Sequence, residues 1–164
     1  MKSKNIIKIQ IVFLVALTIA ISMAGCKQAA ENTYDNPPTE SQMQILFKLD
    51  SRLTQGLYMG ERWVSPPTYG PIVSSENTYA VEAMAAVLDT NGQQIGANIE
   101  WEPQDPEMVV VSPGEGYQVT ITILRAGESN LLVTAQGLSK TLNIQATQKN
   151  DVIQVQISQV DEAE

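Results

Sequence analysis

The sequence predicts an all-β protein, a sandwich of two antiparallel sheets with seven or eight strands. Two observations lead to this prediction. From residue 44 onward, apolar and polar side chains alternate in short runs, and turn-forming residues separate these runs every 8–12 residues or so. No stretch beyond residue 26 repeats apolar side chains with the period of about 3.6 residues that an amphipathic helix requires.

Eight runs are candidates for strands. The first covers residues 45–49, and the second covers residues 79–87 before the turn sequence Asp89-Thr90-Asn91-Gly92. The others lie at 99–101, 108–111, 119–123, 131–135, 142–146 and 153–157. Five residues at apolar positions of these runs are predicted to fill the core between the sheets, namely Ile99, Trp101, Val119, Ile121 and Ile123.

A long connection, the insert at residues 56–78, separates the first two runs. It is rich in Gly and Pro and carries Tyr58, Arg62, Trp63 and Tyr69. Aromatic and arginine side chains are enriched among the residues that dominate binding energy at protein interfaces. These four residues are therefore candidates for binding a partner. In the alternative, the loop folds back and its aromatic side chains cap an open end of the sandwich.

The N-terminal residues 1–25 read as a signal peptide. Lys2, Lys4 and Lys8 precede an apolar run at residues 9–21, and small residues end the segment. The apolar run is shorter than the roughly 20 residues that a membrane-spanning helix needs.

The sequence Ala24-Gly25-Cys26 that ends this leader resembles the lipobox of bacterial lipoproteins. The resemblance implies that Cys26 carries a diacylglycerol group, with further acyl chains such as palmitate, and is the first residue of the mature chain. Two or three acyl chains anchor a protein stably in a membrane. Lys27 follows, and the lack of Asp there favours the outer membrane if the host is Gram-negative.

Residues 26–43 are predicted to be the lipidated cysteine and a flexible tether. Residues 27–43 contain no Val, Ile or Leu, and Pro37-Pro38 blocks a helix. A random coil of this length spans on the order of 20–25 Å. The domain then covers residues 44–160, and residues 161–164 form a C-terminal tail.

The order of motifs within the domain resembles bacterial immunoglobulin-like domains of the Big-2 type. The motifs are Leu88-Asp89-Thr90-Asn91-Gly92, Ile99-Glu100-Trp101, Val109-Val110-Val111, Arg125-Ala126-Gly127-Glu128 and Val133-Thr134-Ala135. The resemblance implies an immunoglobulin-like fold in an extracytoplasmic setting, and it implies no reaction.

The composition excludes several classes of function. The chain has no histidine, which rules out Ser-His and His-ligated metal sites, and one cysteine, which rules out an intrachain disulfide. Its net charge of −8 argues against binding to nucleic acid. We therefore expect no cofactor and no enzymatic activity.

The densest group of acidic residues is Glu100, Glu102, Asp105 and Glu107. Carboxylates are calcium ligands, and a pair of them can serve in glycoside hydrolysis, so a calcium-binding module and a carboxylate-based enzyme remain weak alternatives. No calcium-loop motif surrounds them, and a solvated strand face is the preferred explanation.

The expected function is non-catalytic binding, adhesion or structural spacing in the cell envelope or at the cell surface. The expected partners are the membrane, through lipidated Cys26, and an envelope or surface protein or a polysaccharide. In the alternative, the chain is a subunit of a surface assembly or filament, an oligomer formed by pairing of an edge strand at 152–158. The sequence leaves periplasmic and surface-facing locations both open.

Overall fold

The computed structural model describes residues 40–57 and 61–160. Outside these residues lie the predicted signal peptide, the predicted lipidation site Cys26, most of the predicted tether, Tyr58 and the tail at 161–164. The described part contains eleven strands and one short 3₁₀ helix at Ser51–Thr54. The strands are β1 (Gln42–Lys48), β2 (Trp63–Val64), β3 (Thr68–Ser74), β4 (Tyr79–Leu88), β5 (Gln94–Ile95), β6 (Glu100–Pro103), β7 (Val109–Ser112), β8 (Gln118–Ile123), β9 (Gly127–Ala135), β10 (Leu138–Lys149) and β11 (Val152–Val160).

The strands form two antiparallel sheets. Sheet I has the order β2-β1-β4-β8-β7, with β5 also paired to β4, and sheet II has the order β3-β11-β10-β9-β6. This arrangement is an immunoglobulin-like β-sandwich, so the predicted fold class is confirmed. All eight predicted runs are strands. The additional ones are β3 and the two-residue strands β2 and β5.

The core lies between the sheets and is built from the inward side chains of the long strands. The five predicted core residues are all buried, with exposed fractions of 4% or less. The indole Nε1 of Trp101 also donates a hydrogen bond to the carbonyl oxygen of Gly116 at 3.0 Å. Trp101 therefore fills the core and ties β6 to the segment that precedes β8.

The hairpin β10–β11 pairs nine residues of each strand, as many as the pairing of β9 with β10. Its turn residues Asn150 and Asp151 both have positive φ, 51° and 60°. Two-residue turns with this geometry match the twist of the strands that they connect. The hairpin therefore places the whole length of β11 beside β10.

Strand β11 is an interior strand, and this corrects the prediction of an edge strand at 152–158. β10 pairs with one side of β11 and β3 pairs with the other. Gly70 and Pro71 interrupt the alternating pattern of β3, so the sequence suggested a loop where the sheet has its outermost strand. With both sides of β11 paired, residues 152–158 offer no free edge for assembly.

Gly70 allows β3 to approach β11 closely. Its φ is +116°, and a Cβ atom at this position would lie 2.7 Å from the carbonyl oxygen of Val155. The register between the two strands shifts between Val155 and Ile157, which is a β-bulge opposite this glycine. A side chain at residue 70 would therefore separate β3 from the sheet.

Candidate partner-binding site at one end of the sandwich

The segment between β1 and β2, residues 49–62, forms a loop at one end of the sandwich, here called the end loop. The backbone N–H of Leu49 donates to the carbonyl oxygen of Arg62 at 2.7 Å, which closes the base of the loop. Leu53 of the 3₁₀ helix packs against the core. Leu57 is 91% exposed, the most exposed large apolar side chain in the described part of the chain.

Asp50 anchors the end loop. It caps the 3₁₀ helix by accepting the backbone N–H of Arg52 at 2.8 Å, and it also accepts from the Arg52 side chain. The hydroxyl of Tyr79 donates to the same carboxylate at 3.2 Å. The guanidinium of Arg52 lies over the ring of Tyr79, 5.0 Å from its centre. Bonds to β4 and to its own helix therefore fix the orientation of Asp50.

The charges of this cluster are mutually stabilising. The hydrogen bond from Arg52 holds the pKa of the Asp50 carboxyl below its usual value. Burial raises the pKa of the Tyr79 phenol far above its usual value, so the phenol stays protonated and donates. The sequence carried a signal for this cap, since Asp is a favoured N-cap residue, but the partner Tyr79 lies far along the chain.

Tyr69 is a support for the loop and not a contact for a partner, which corrects its assignment as a binding residue. Its side chain is only 2% exposed, and its ring stacks on Phe47 with centres 4.8 Å apart. Its hydroxyl donates to the carbonyl oxygen of Lys48 at 2.6 Å and accepts from the backbone N–H of Asp50. Tyr69 alternates with solvent-facing neighbours on β3, which explains its burial.

Arg62 and Trp63 lie where the end loop returns to the sheet. Arg62 is exposed, and Trp63 is half-buried in β2, opposite Lys48 of β1. Tyr58, the fourth predicted binding residue, lies outside the described residues. The accessible candidates are thus Leu57 and Arg62 in the described part of the loop and Trp63 at the start of β2. Sequence reasoning missed Leu57.

A charged cluster borders the loop on the side of sheet I. The amino group of Lys48 contacts Glu82 at 2.8 Å and Glu61 at 3.1 Å. These carboxylates, Glu82 first, raise the pKa of Lys48. A cavity of about 340 Å³ lies beside this cluster, and Asp50, Tyr69 and Tyr79 contribute to its wall. The candidate site therefore combines the exposed apolar side chain of Leu57 with the charged side chains of Lys48, Glu61 and Glu82.

The end loop lies at the end of the sandwich away from the start of the domain. β1 begins at Gln42, two residues before the predicted boundary, and runs for seven residues to Lys48, where the loop begins. Seven residues of β-strand span on the order of 20 Å. Val160, at the end of β11, pairs with Thr141 near the start of β10, so both ends of the described domain lie opposite the loop.

The predicted acidic group is spread along the surface. Glu100 and Glu102 are exposed on β6, and Glu107 is exposed in the following turn. Asp105 accepts the backbone N–H groups of Glu107 and Met108 and pairs with Arg125 at 2.7 Å. Within residues 40–57 and 61–160, no group of three or more acidic, cysteine or histidine side chains is arranged to hold a metal ion.

Comparisons of the chain with protein-family models, with curated proteins and with solved structures give no significant match. Among the described residues, no helix has the length and apolar character needed to cross a membrane.

Proposed function

We propose that this protein is a lipid-anchored, non-catalytic binding protein of the bacterial envelope, whose single immunoglobulin-like domain of the Big-2 type presents the end loop to a partner. The position of the end loop supports this proposal. It lies at the end of β1 opposite Gln42, where the chain from the tether enters the domain.

This geometry fits a tethered receptor. If lipidated Cys26 holds the N-terminus at a membrane, the chain enters the domain at its membrane-proximal end, and the end loop lies at the distal end. The mature chain would carry 7 basic and 18 acidic residues, a net charge of −11. Anionic lipid repels such a domain, so the acyl chains supply the attachment.

The exposed chemistry of the loop suits protein binding. Leu57 offers an apolar contact, and Arg62 and Trp63 are of residue types that often dominate interface energetics. The contacts of Asp50 with Arg52 and Tyr79 restrain the loop before it binds, which lowers the entropy lost on association.

The location is tested by antibody labelling of the domain on intact cells, on permeabilised cells and on a Cys26→Ser strain. We expect the domain to stay with the membrane in the parent strain and to be released from it in the Cys26→Ser strain. Labelling of intact cells would place the partner outside the cell. Labelling only after permeabilisation would restrict the partner to the periplasm. Unchanged membrane attachment of Cys26→Ser would contradict the anchor.

The role of the loop is tested with the double variant Arg62→Ser, Trp63→Ser. The control is Tyr117→Ser, because Tyr117 is an exposed aromatic residue before β8 and outside the end loop. Photo-crosslinkers placed at position 57 on intact cells report the partner. We expect the double variant to lose at least about tenfold in crosslinking while its melting temperature stays close to that of the parent. Equal crosslinking in the parent and the double variant would contradict the proposal.

A further inference from the structure

The outer side of sheet II carries a set of uncharged amides and hydroxyls. The strand registers align four of them in one row across four strands, Thr68, Ser158, Asn143 and Asn130. A second row places Gln156 beside Gln145. These side chains alternate with buried apolar residues, so they point to solvent. We call this surface the amide face.

A groove of about 520 Å³ lies at the β6 side of the amide face. It is lined by Glu102, Pro103, Gln104, Asn130, Leu132 and Thr141. Its volume falls in the range of small-molecule sites, roughly 300–1,000 Å³. The register explains how it forms, since Glu102, Leu132 and Thr141 occupy neighbouring strands in one row.

The polar groups of the groove have capacity left for a ligand. Asn143 donates from Nδ2 to Oδ1 of Asn130 at 3.0 Å, which orients the Asn130 amide and leaves its N–H donors. Across the described part of the chain, the side chains of Glu102, Gln104 and Thr141 make no hydrogen bond to another protein group. The groove therefore combines donors and acceptors with the apolar surface of Leu132 and Pro103.

The charge of the groove disfavours anionic ligands. Among the described residues that line it, only Glu102 is charged, and none is a lysine or an arginine. An anionic ligand would meet no opposite charge there. A sugar hydroxyl can donate a hydrogen bond to a carboxylate or amide oxygen and accept one from an amide N–H. The C–H faces of a sugar ring can pack against an apolar patch.

We infer that this groove binds a short stretch of an uncharged saccharide. Asn130, Gln104 and Thr141 would hydrogen-bond the sugar hydroxyls, and Leu132 would contact the ring. This site lies on the outer face of sheet II and is separate from the end loop, so it extends the proposed function to a second ligand.

The full-length protein, purified in mild detergent, is tested on an array of neutral gluco-, manno-, galacto- and xylo-oligosaccharides, and its affinity for the strongest binder is measured by calorimetry. Asn130→Ala and Thr141→Ala should each weaken that affinity by about fivefold or more, the effect of one lost hydrogen bond. The control Thr147→Ala, on the same face of β10 but outside the groove, should leave it unchanged.

Three results would overturn the inference. One is the absence of binding to any neutral oligosaccharide on the array. A second is equal weakening by Thr147→Ala and Asn130→Ala. The third is binding of a trilysine peptide that Glu102→Gln abolishes and Asn130→Ala leaves intact, because the groove would then recognise a cationic chain.

Discussion

Asp50 joins three parts of the molecule through one side chain. Its carboxylate caps the 3₁₀ helix, pairs with Arg52 and accepts the hydroxyl of Tyr79 at the start of β4. Only 15% of this side chain is exposed, so these contacts are worth more than a surface ion pair. The end loop depends on this residue for its position.

Asp50→Asn should destabilise the domain by about 1–3 kcal/mol at pH 7, because the charge-assisted bonds are weakened. The pKa of Asp50 is lowered in the folded state, so its contribution is present above the unfolded value of about 3.9 and is lost as the pH falls through the folded pKa. The difference in unfolding free energy between parent and variant should therefore shrink below about pH 4.

Urea unfolding at pH 7 and at pH 3, followed by tryptophan fluorescence, measures this difference. Asp151→Asn is the control, since Asp151 is exposed in the β10–β11 turn and should change stability by less than about 0.5 kcal/mol. A difference between Asp50→Asn and the parent that stays constant over this pH range would contradict the assignment.

Gly70 is the second residue on which the fold depends. Gly70→Ala places a Cβ against the backbone of β11 and adds strain at φ +116°, and we expect a loss of about 2–4 kcal/mol. Gly96→Ala is the matched control, because nothing lies within 4 Å of its added Cβ. Thermal unfolding of both variants measures this loss. Equal melting temperatures of the two variants would contradict the close approach of β3 to β11 at Gly70.

At the scale of elements, the strands with regular alternation could be predicted and the interrupted one could not. Gln118 to Ile123 alternates polar and apolar residues at every position, and its strand followed from the sequence. β3 could not be predicted because Gly70 and Pro71 break its pattern, and its pairing depends on a bulge in a strand some 80 residues later. Tyr69 was misassigned for the same reason, since its burial depends on β3 being a strand.

The interior position of β11 makes a prediction for truncation. A chain that ends after Lys149 loses β11, so β3 and β10 lose their common partner and buried Ile153, Val155 and Ile157 are removed. We expect this chain to be insoluble or to lack a cooperative unfolding transition. A control chain that ends at Val160 retains β11 and should fold. A soluble, cooperative chain ending at Lys149 would show that β11 is dispensable.

At the scale of the whole molecule, the two ends of the described domain carry different parts of the chain. The chain enters near Gln42, and the end loop with exposed Leu57 lies across the length of the sheets. The lipobox resemblance at Cys26 comes from the sequence alone and stays a prediction. The direction in which the loop faces could not be predicted, because it depends on the path of β1 and β2. Together they lead to the proposal of a tethered binding domain.

Whether Cys26 holds the domain at a membrane is tested by the intact mass of the mature protein extracted from the membrane fraction. We expect a chain that begins at Cys26 and carries diacylglycerol with or without a further acyl chain. A chain that retains residues 1–25, or an unmodified chain in the soluble fraction, would contradict it.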